Sequence, residues 1–255
     1  MPFIERDAST KFHFEDLGTR RPPLLFLHGI SCDLHDFDQL LAAFQAKHRV
    51  VAVDLRGHGK SSPAPSDGLT IGDYVSDVEW LCRALELDRP VVIGHSLGGV
   101  VGVELARKSP SLLAGLALLD ASVCMPAAAW KAFAPVLEGL HTDDWRAPLL
   151  GLIGGFGVPS RNPDKHQYLL DRASAAPQAI FSRAFDSVAQ WDANNALASC
   201  QLPLLYLASM LPVDEETLHR LAPNARLERL SAGHYPHIES PNEVIAIVDS
   251  FLKRV

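Results

Sequence analysis

The sequence predicts an α/β fold: a mostly parallel central sheet flanked by helices, with a helical cap inserted between two of its strands. Two observations support this prediction. Short apolar runs rich in valine, isoleucine and leucine alternate with longer segments of helical periodicity, which is the pattern of repeated strand–helix units. The alternation then breaks between residues 122 and 198, where helical patches occur without a strand-like run.

Six apolar runs are predicted to form the buried strands. Most of them are apolar throughout rather than alternating in polarity, as expected for strands that helices cover on both faces. One further segment, 11–17 (KFHFEDL), alternates better and is predicted to be an antiparallel edge strand. The six buried runs are residues 23–27, 50–55, 90–93, 113–119, 203–207 and 225–230.

Helices are predicted between these strands, near residues 37–47, 71–87, 97–108, 214–222 and 241–253. The interrupting segment has helical patches such as AAAWKAFAPVLEGL, and it carries large aromatic side chains that are available to pack. A disordered linker of that composition is not expected. The sequence therefore predicts a core formed by residues 1–121 and 199–255 and a helical cap formed by residues 122–198.

Composition narrows the classes of partner. The formal charge of −7 comes without a basic block, so neither nucleic acid nor an anionic membrane surface is an expected partner, and a small-molecule substrate is favoured. No leader-like N-terminus and no run long enough to span a bilayer is present, so a cytoplasmic protein is expected. Its four cysteines are widely spaced and are predicted to be reduced packing thiols (Cys32, Cys82, Cys124 and Cys200). Composition leaves the oligomeric state open.

Residues 90–99 (PVVIGHSLGG) carry the strongest chemical signal. An apolar strand runs into the pattern G-x-S-x-G and then into a helical segment, which is the context in which this motif presents a nucleophilic serine. The turn is so tight that Cβ atoms two residues either side of the serine would collide, and Gly94 and Gly98 remove them. Ser96 is therefore predicted to be the nucleophile, beside a helix N-terminus that favours negative charge.

Four stretches, in this order and spacing, resemble the α/β-hydrolase superfamily, in particular its serine-nucleophile, esterase- and lipase-like members. They are FLHGI (26–30), DLRGHGKS (54–61), GHSLGG (94–99) and SAGHYPHIESP (231–241). The resemblance covers almost the whole chain outside the cap. It implies that the cap follows the sixth strand of the sheet, and that no cofactor or metal ion is needed.

The resemblance also implies roles for particular residues. The backbone N–H groups of Ile30 and Leu97 would form the oxyanion hole, and His28 would be a structural residue of its loop. His234, which directly follows Gly233, would be the general base, and the nearby His237 would be a neighbour or a structural residue.

The acid that orients His234 has two candidates. In the commonest arrangement of the family the acid follows the seventh strand, here PLLYL, but the next residues are Ser209 to Pro212. Asp214 comes later and stands where an aspartate caps a helix. Asp120 ends the strand before the cap, 24 residues after Ser96, where some members carry the acid. Spacing favours Asp120 and leaves Asp214 as the alternative.

This set of residues predicts a serine hydrolase that cleaves a small, largely apolar carboxylic ester through an acyl-enzyme. The alternatives are a lactonase, a thioesterase, a carbon–carbon bond hydrolase, or a hydrolase-like ligand receptor with little turnover. Specificity is expected from the cap, and its predicted pocket residues are Trp130, Phe133, Trp145 and Phe181, with Met125, Phe156 and Phe185 as further candidates. Four arginines could meet a substrate carboxylate, but solvated helix faces explain them better (Arg146, Arg161, Arg172 and Arg183).

Overall fold

A computed structural model describes residues 2–156 and 163–255 and confirms the predicted α/β fold. Its central sheet has eight strands in the order β1-β2-β4-β3-β5-β6-β7-β8. Strands β3 to β8 run parallel to one another, whereas β2 is antiparallel to both β1 and β4. The strands are β1 (Phe3–Asp7), β2 (Thr10–Leu17), β3 (Leu24–Leu27), β4 (Val50–Val53), β5 (Val91–His95), β6 (Gly115–Leu119), β7 (Leu204–Ala208) and β8 (Ala225–Arg229).

Strand β1 is absent from the predictions, and its composition explains why. Its residues, FIERD, alternate between exposed and half-buried positions and include three charged side chains. Such a segment has no buried apolar run to reveal it. It forms a strand because it pairs with β2, with Phe3 opposite His13 and Ile4 opposite Phe12.

Both faces of the parallel strands β3 to β7 are buried, which explains their continuous apolar runs. The edge strand β8 is only partly buried. In β3, Leu25 and Leu27 belong to one hydrophobic cluster, and Leu24 and Phe26 belong to a second cluster on the opposite face. Strand β4 divides in the same way between the two clusters. The carboxyl ends of these strands therefore rest on a core packed from both sides.

Eleven α-helices lie in the described part of the chain. Helices α4 to α8 fall between β6 and β7, in the segment predicted to be a cap, while the precise division at residues 122 and 198 stays a prediction. None of the helices formed by residues 2–156 and 163–255 is both long and apolar enough to cross a membrane. The helices are α1 (Asp38–Phe44), α2 (Ile71–Ala84), α3 (Leu97–Lys108), α4 (Ala127–Gly139), α5 (Arg146–Gly154), α6 (Pro163–Ala175), α7 (Gln178–Ala189), α8 (Ala193–Ser199), α9 (Glu215–Leu221), α10 (Pro236–Glu239) and α11 (Pro241–Leu252).

Helix α6 is fastened to the loop after β3 by buried ion pairs. The Arg172 guanidinium lies 2.8 Å from the Asp36 carboxylate and also pairs with Asp33. The Lys165 ammonium lies 2.7 Å from the other Asp36 oxygen, and the Tyr168 hydroxyl donates to Asp33 at 2.9 Å. Burial alone would raise the pKa of Asp36, but Arg172 and Lys165 outweigh it and hold this pKa well below its ordinary value.

Replacing Arg172 with methionine is expected to lower the free energy of unfolding by about 3–5 kcal/mol, because it leaves two buried carboxylates short of a cation. A carboxyl with a depressed folded pKa contributes stability above its unfolded pKa of about 4, and this contribution is lost as the pH falls. Urea denaturation between pH 3 and pH 7 measures both effects. The wild type should lose stability more steeply below about pH 4 than Arg172→Met does.

The matched control is Arg146→Met. Arg146 is an exposed arginine at the start of α5 whose guanidinium covers the Trp145 ring at 4.3 Å, and its loss should change the free energy of unfolding by no more than about 0.5 kcal/mol. Equal losses in the two variants, or a difference that does not change with pH, would contradict the ion-pair account.

Candidate active site

Ser96 occupies a strained turn between β5 and α3. Its φ of 48° and ψ of −116° put it in the left-handed half of backbone space, which a non-glycine residue rarely adopts. The residues on either side, His95 and Leu97, are buried, whereas Ser96 is only partly buried and lines a cavity. The turn thus presents the serine side chain at the carboxyl end of the sheet.

The two glycines of the motif permit this turn for different reasons. A Cβ at Gly94 would lie 2.5 Å from the carbonyl oxygen of Gly98, inside the turn itself. A Cβ at Gly98 would lie 2.1 Å from the carbonyl oxygen of Leu27, on the neighbouring strand β3. The first glycine therefore allows the turn to close, and the second allows α3 to start directly against the sheet.

Asp120 follows β6 and is fully buried. One oxygen of its carboxylate, Oδ1, accepts hydrogen bonds from three successive backbone N–H groups: those of Ser209 at 2.8 Å, Met210 at 3.0 Å and Leu211 at 3.1 Å. The other oxygen, Oδ2, lies 2.8 Å from Nδ1 of His234. Both oxygens of this buried carboxylate therefore have hydrogen-bond partners.

His234 is held at its backbone as well as at its ring. Its N–H donates to the carbonyl of Phe156 at 2.8 Å, and its own carbonyl lies 2.7 Å from Nε2 of His95. The Phe156 ring also covers the imidazole, with ring centroids 4.3 Å apart. With Nδ1 bonded to Asp120, the second ring nitrogen is available for the cavity that His234 lines together with Ser96.

Asp214, the alternative acid, lies elsewhere. It is the N-cap of α9, where its side chain accepts a hydrogen bond from the backbone N–H of Thr217 at 3.0 Å. That bond lowers the pKa of Asp214. The structure therefore brings Asp120, rather than Asp214, to His234.

The two proposed oxyanion donors, Ile30 and Leu97, line the same cavity as Ser96. Leu97 is the first residue of α3, so its N–H has no acceptor within the helix. His28 lies behind this loop: Nδ1 is 2.7 Å from the carbonyl of Gly29, and Nε2 accepts from the N–H of Leu55 at 3.0 Å. With both ring nitrogens engaged, His28 fixes the loop, as the sequence predicts.

The cavity above Ser96 is narrow and mostly apolar. Its volume of about 50 Å³ is enough for a few water molecules. No charged side chain is among the residues of 2–156 and 163–255 that line it. Apart from the site residues, its wall includes Trp130 and Phe133 of α4, Leu149, Leu152 and Ile153 of α5, Phe156, and Ala184, Phe185 and Val188 of α7.

The predicted pocket residues divide into two groups. Trp130 and Phe133 line the cavity, as do three further candidates, Met125, Phe156 and Phe185. Trp145 and Phe181 do not: they are 5% and 0% exposed, and they pack on each other with ring centroids 5.8 Å apart. Both belong to a hydrophobic cluster with residues of α5, α6 and α7.

Three of the four arginines lie in the described part of the chain, and none of these three lines the cavity. Arg172 is engaged by Asp33 and Asp36, while Arg146 and Arg183 are exposed and absent from the cavity wall. Arg161 lies outside the described residues.

Two contributions to the site were missed from the sequence. One is the row of backbone N–H groups at Ser209 to Leu211, which hold the Asp120 carboxylate. The only sign of this row in the sequence is the absence of an acidic residue directly after β7. The other is helix α5, whose Leu149, Leu152 and Ile153 face the cavity. Their spacing of three and four residues is a helical face, but nothing in that pattern separates a pocket wall from a core.

Comparisons with known proteins agree with this fold. A family profile described as the alpha/beta hydrolase fold matches residues 22–151, which is more than half of the chain. The 3-oxoadipate enol-lactonase 2 of Acinetobacter baylyi is 26% identical over 95% of this chain and 98% of its own length. A crystal structure of a hydrolase from Pseudomonas aeruginosa superposes with a TM-score of 0.84 at 27% identity, covering 98% of this chain and 97% of that one.

A further relative is longer than this chain. The biotin biosynthesis bifunctional protein of Teredinibacter turnerae is 28% identical over 99% of this chain, but the chain spans only 48% of that protein. Taken with the strand order, the turn at Ser96 and the matched profile, these similarities identify the family. The chain belongs to the alpha/beta hydrolase fold family.

Proposed function

We propose that this protein is a hydrolase that cleaves a small, neutral, largely apolar carboxylic ester through an acyl-enzyme. The observation that carries the proposal is the hydrogen bond between Asp120 and Nδ1 of His234, whose ring lines the same cavity as Ser96. Nucleophile, base and orienting acid are the three parts that serine-based acyl transfer needs.

In the first half of the proposed reaction, Ser96 Oγ attacks the ester carbonyl while its proton passes to Nε2 of His234. Asp120 holds the ring with Nδ1 protonated, so that Nε2 is free to accept this proton, and its charge stabilises the imidazolium that forms. His234 then returns the proton to the leaving alkoxide as the carbon–oxygen bond breaks. In the second half, water attacks the acyl-enzyme by the same proton transfers, which releases the carboxylic acid and restores Ser96.

The tetrahedral intermediates carry negative charge on the former carbonyl oxygen. The backbone N–H groups of Ile30 and Leu97 are the proposed donors to this oxygen, and the N-terminus of α3 adds a favourable dipole. One preorganised donor of this kind is typically worth about 10²–10³ in rate.

Helices α4, α5 and α7 are proposed to act as a cap that selects the substrate, because they supply most of the apolar cavity wall. The cavity's apolar wall favours apolar acyl groups. Its described wall offers no cation, so a substrate carboxylate would be buried there without a partner, which costs several kcal/mol.

A lactone is the second candidate substrate, since the enol-lactonase of Acinetobacter baylyi aligns with nearly the whole chain. Lactone opening uses the same steps, except that the leaving alkoxide stays attached to the acyl group. A ligand receptor with little turnover would share the fold and the cavity, and the following test separates it from an enzyme.

The test combines labelling with turnover. A fluorophosphonate probe should modify Ser96, and p-nitrophenyl esters from acetate to octanoate should be hydrolysed, with a γ-lactone series run in parallel. Absence of both labelling and turnover would overturn the proposal in favour of a receptor. Turnover of lactones alone would replace the ester by a lactone as the substrate.

Charge on the acyl group gives a sharper prediction. The kcat/KM for p-nitrophenyl hexanoate is expected to exceed that for the p-nitrophenyl monoester of adipic acid by about 10²-fold or more. The two acyl chains have the same number of carbons, and only the second places a carboxylate in the cavity; each 1.4 kcal/mol of that cost is tenfold in kcat/KM. Initial rates at pH 7.5 measure the ratio. Equal rates would contradict the assignment of a neutral substrate.

A further inference from the structure

The side chain before the nucleophile makes an unusual long-range contact. His95 is the last residue of β5 and is 0% exposed. Its Nε2 lies 2.7 Å from the carbonyl oxygen of His234, which is 139 residues away in the chain. A carbonyl only accepts hydrogen bonds, so Nε2 of His95 must carry the proton and donate it.

The hydrogen bond to the His234 carbonyl is the single polar contact of the His95 ring within the described residues. Nδ1 of His95 has no hydrogen-bond partner there. It faces Gly29, where an added Cβ would lie 2.7 Å from Nδ1 and 3.1 Å from Cβ of Ser96. Burial, with His237 and His234 adding to it, also keeps the pKa of His95 well below its ordinary value. The His95 ring is therefore a neutral donor that lies between the loop containing Gly29 and the loop containing His234.

We infer that His95 is a positioning residue: its Nε2–H fixes the main chain of His234, so that the imidazole stays aligned between Asp120 and Ser96. His234 is otherwise held by Asp120 at its ring and by the Phe156 carbonyl at its N–H. His95 supplies the bond at its carbonyl, and it comes from the residue adjacent to Ser96. One side chain thus ties the nucleophile's turn to the base's loop. This inference rests on the proposed function.

Three variants separate positioning from packing. His95→Met removes the donor at similar size, His95→Gln keeps an N–H at about the position of Nε2, and His95→Asn carries an amide that is too short to reach. In the methionine and asparagine variants kcat for a p-nitrophenyl ester should fall by about 10–10²-fold, with KM changed by less than about threefold, since small misplacements of a catalytic group cost this much. His95→Gln should recover kcat to within about fivefold of the wild type.

His237→Met is the matched control. The His237 ring packs against that of His95, with ring centroids 4.5 Å apart, but neither of its nitrogens has a hydrogen-bond partner in the part of the chain that the structure describes. It should lower the melting temperature without changing kcat per folded molecule. If His95→Met fails to fold, His95→Asn gives the same comparison.

A kcat for the folded methionine or asparagine variant equal to that of the wild type would overturn the inference, as would His95→Gln being no more active than they are. A wild type that neither labels nor turns over an ester contradicts the proposed function instead. The hydrogen bond has its own readout in that case: a slowly exchanging imidazole N–H signal in the ¹⁵N spectrum of the wild type, lost in His95→Met. Absence of that signal in the wild type also overturns the inference.

Discussion

Asp120→Asn is expected to lower kcat by about 10⁴-fold while leaving the protein folded. The reason lies in the direction of the hydrogen bonds around the carboxylate. Its Oδ1 accepts hydrogen bonds from three backbone N–H groups. In the variant, the asparagine carbonyl oxygen must therefore take the position of Oδ1. The asparagine NH₂ then faces His234 and forces the imidazole into the tautomer with Nε2 protonated. Nε2 in that tautomer cannot take the proton of Ser96.

The control for this substitution is Asp214→Asn. Asp214 caps α9 through Thr217 and does not contact His234, and asparagine caps helices about as well as aspartate. Its kcat should stay within about twofold of the wild type. Steady-state rates on any accepted ester measure both variants. The reverse ranking would move the acid to Asp214, and two small effects would mean that another group orients His234.

Ser96→Ala is expected to reduce kcat by about 10⁶-fold, because without Oγ no acyl-enzyme can form. Fluorophosphonate labelling of the protein should disappear at the same time. Alanine leaves the backbone strain of the turn unchanged, because residue 96 keeps its positive φ. The melting temperature should therefore change little.

Ser122→Ala serves as the control for the nucleophile. Ser122 is a second serine in the wall of the same cavity, and loss of its hydroxyl should leave labelling intact and kcat within about threefold of the wild type. Labelling that persists in Ser96→Ala and vanishes in Ser122→Ala would show that Ser122, and not Ser96, is the nucleophile.

The fold was predictable where one physical cause dominates. Burial of a strand on both faces produces an apolar run such as 23–27 or 203–207, and each of these runs is a strand of the sheet. β1 was not predictable in this way, because its FIERD sequence owes its strand conformation to pairing with β2 rather than to burial. Propensity and periodicity do not report such a pairing.

The site was predictable to the extent that it is local in sequence. The turn at Ser96 is recognisable from the sequence because contacts within and next to the turn require glycines two residues before and after the serine. The choice between Asp120 and Asp214 needed the fold, since the contact between Asp120 and His234 spans 114 residues. Trp145 and Phe181 show the same limit: an aromatic side chain on an apolar helix face can line a cavity or fill an interior, and only the packing of α5 to α7 separates the two.

The way in which Asp120 is held has a consequence for how freely its surroundings can vary. Three main-chain groups bind the carboxylate, and the middle one belongs to Met210, whose side chain is 42% exposed. Natural variation or a mutational library can therefore change the amino acid at 210 without touching the acid's environment. Proline is the exception, because it alone has no N–H to give. The strongest constraint at position 210 is thus the exclusion of proline, which inspection of side chains alone would overlook.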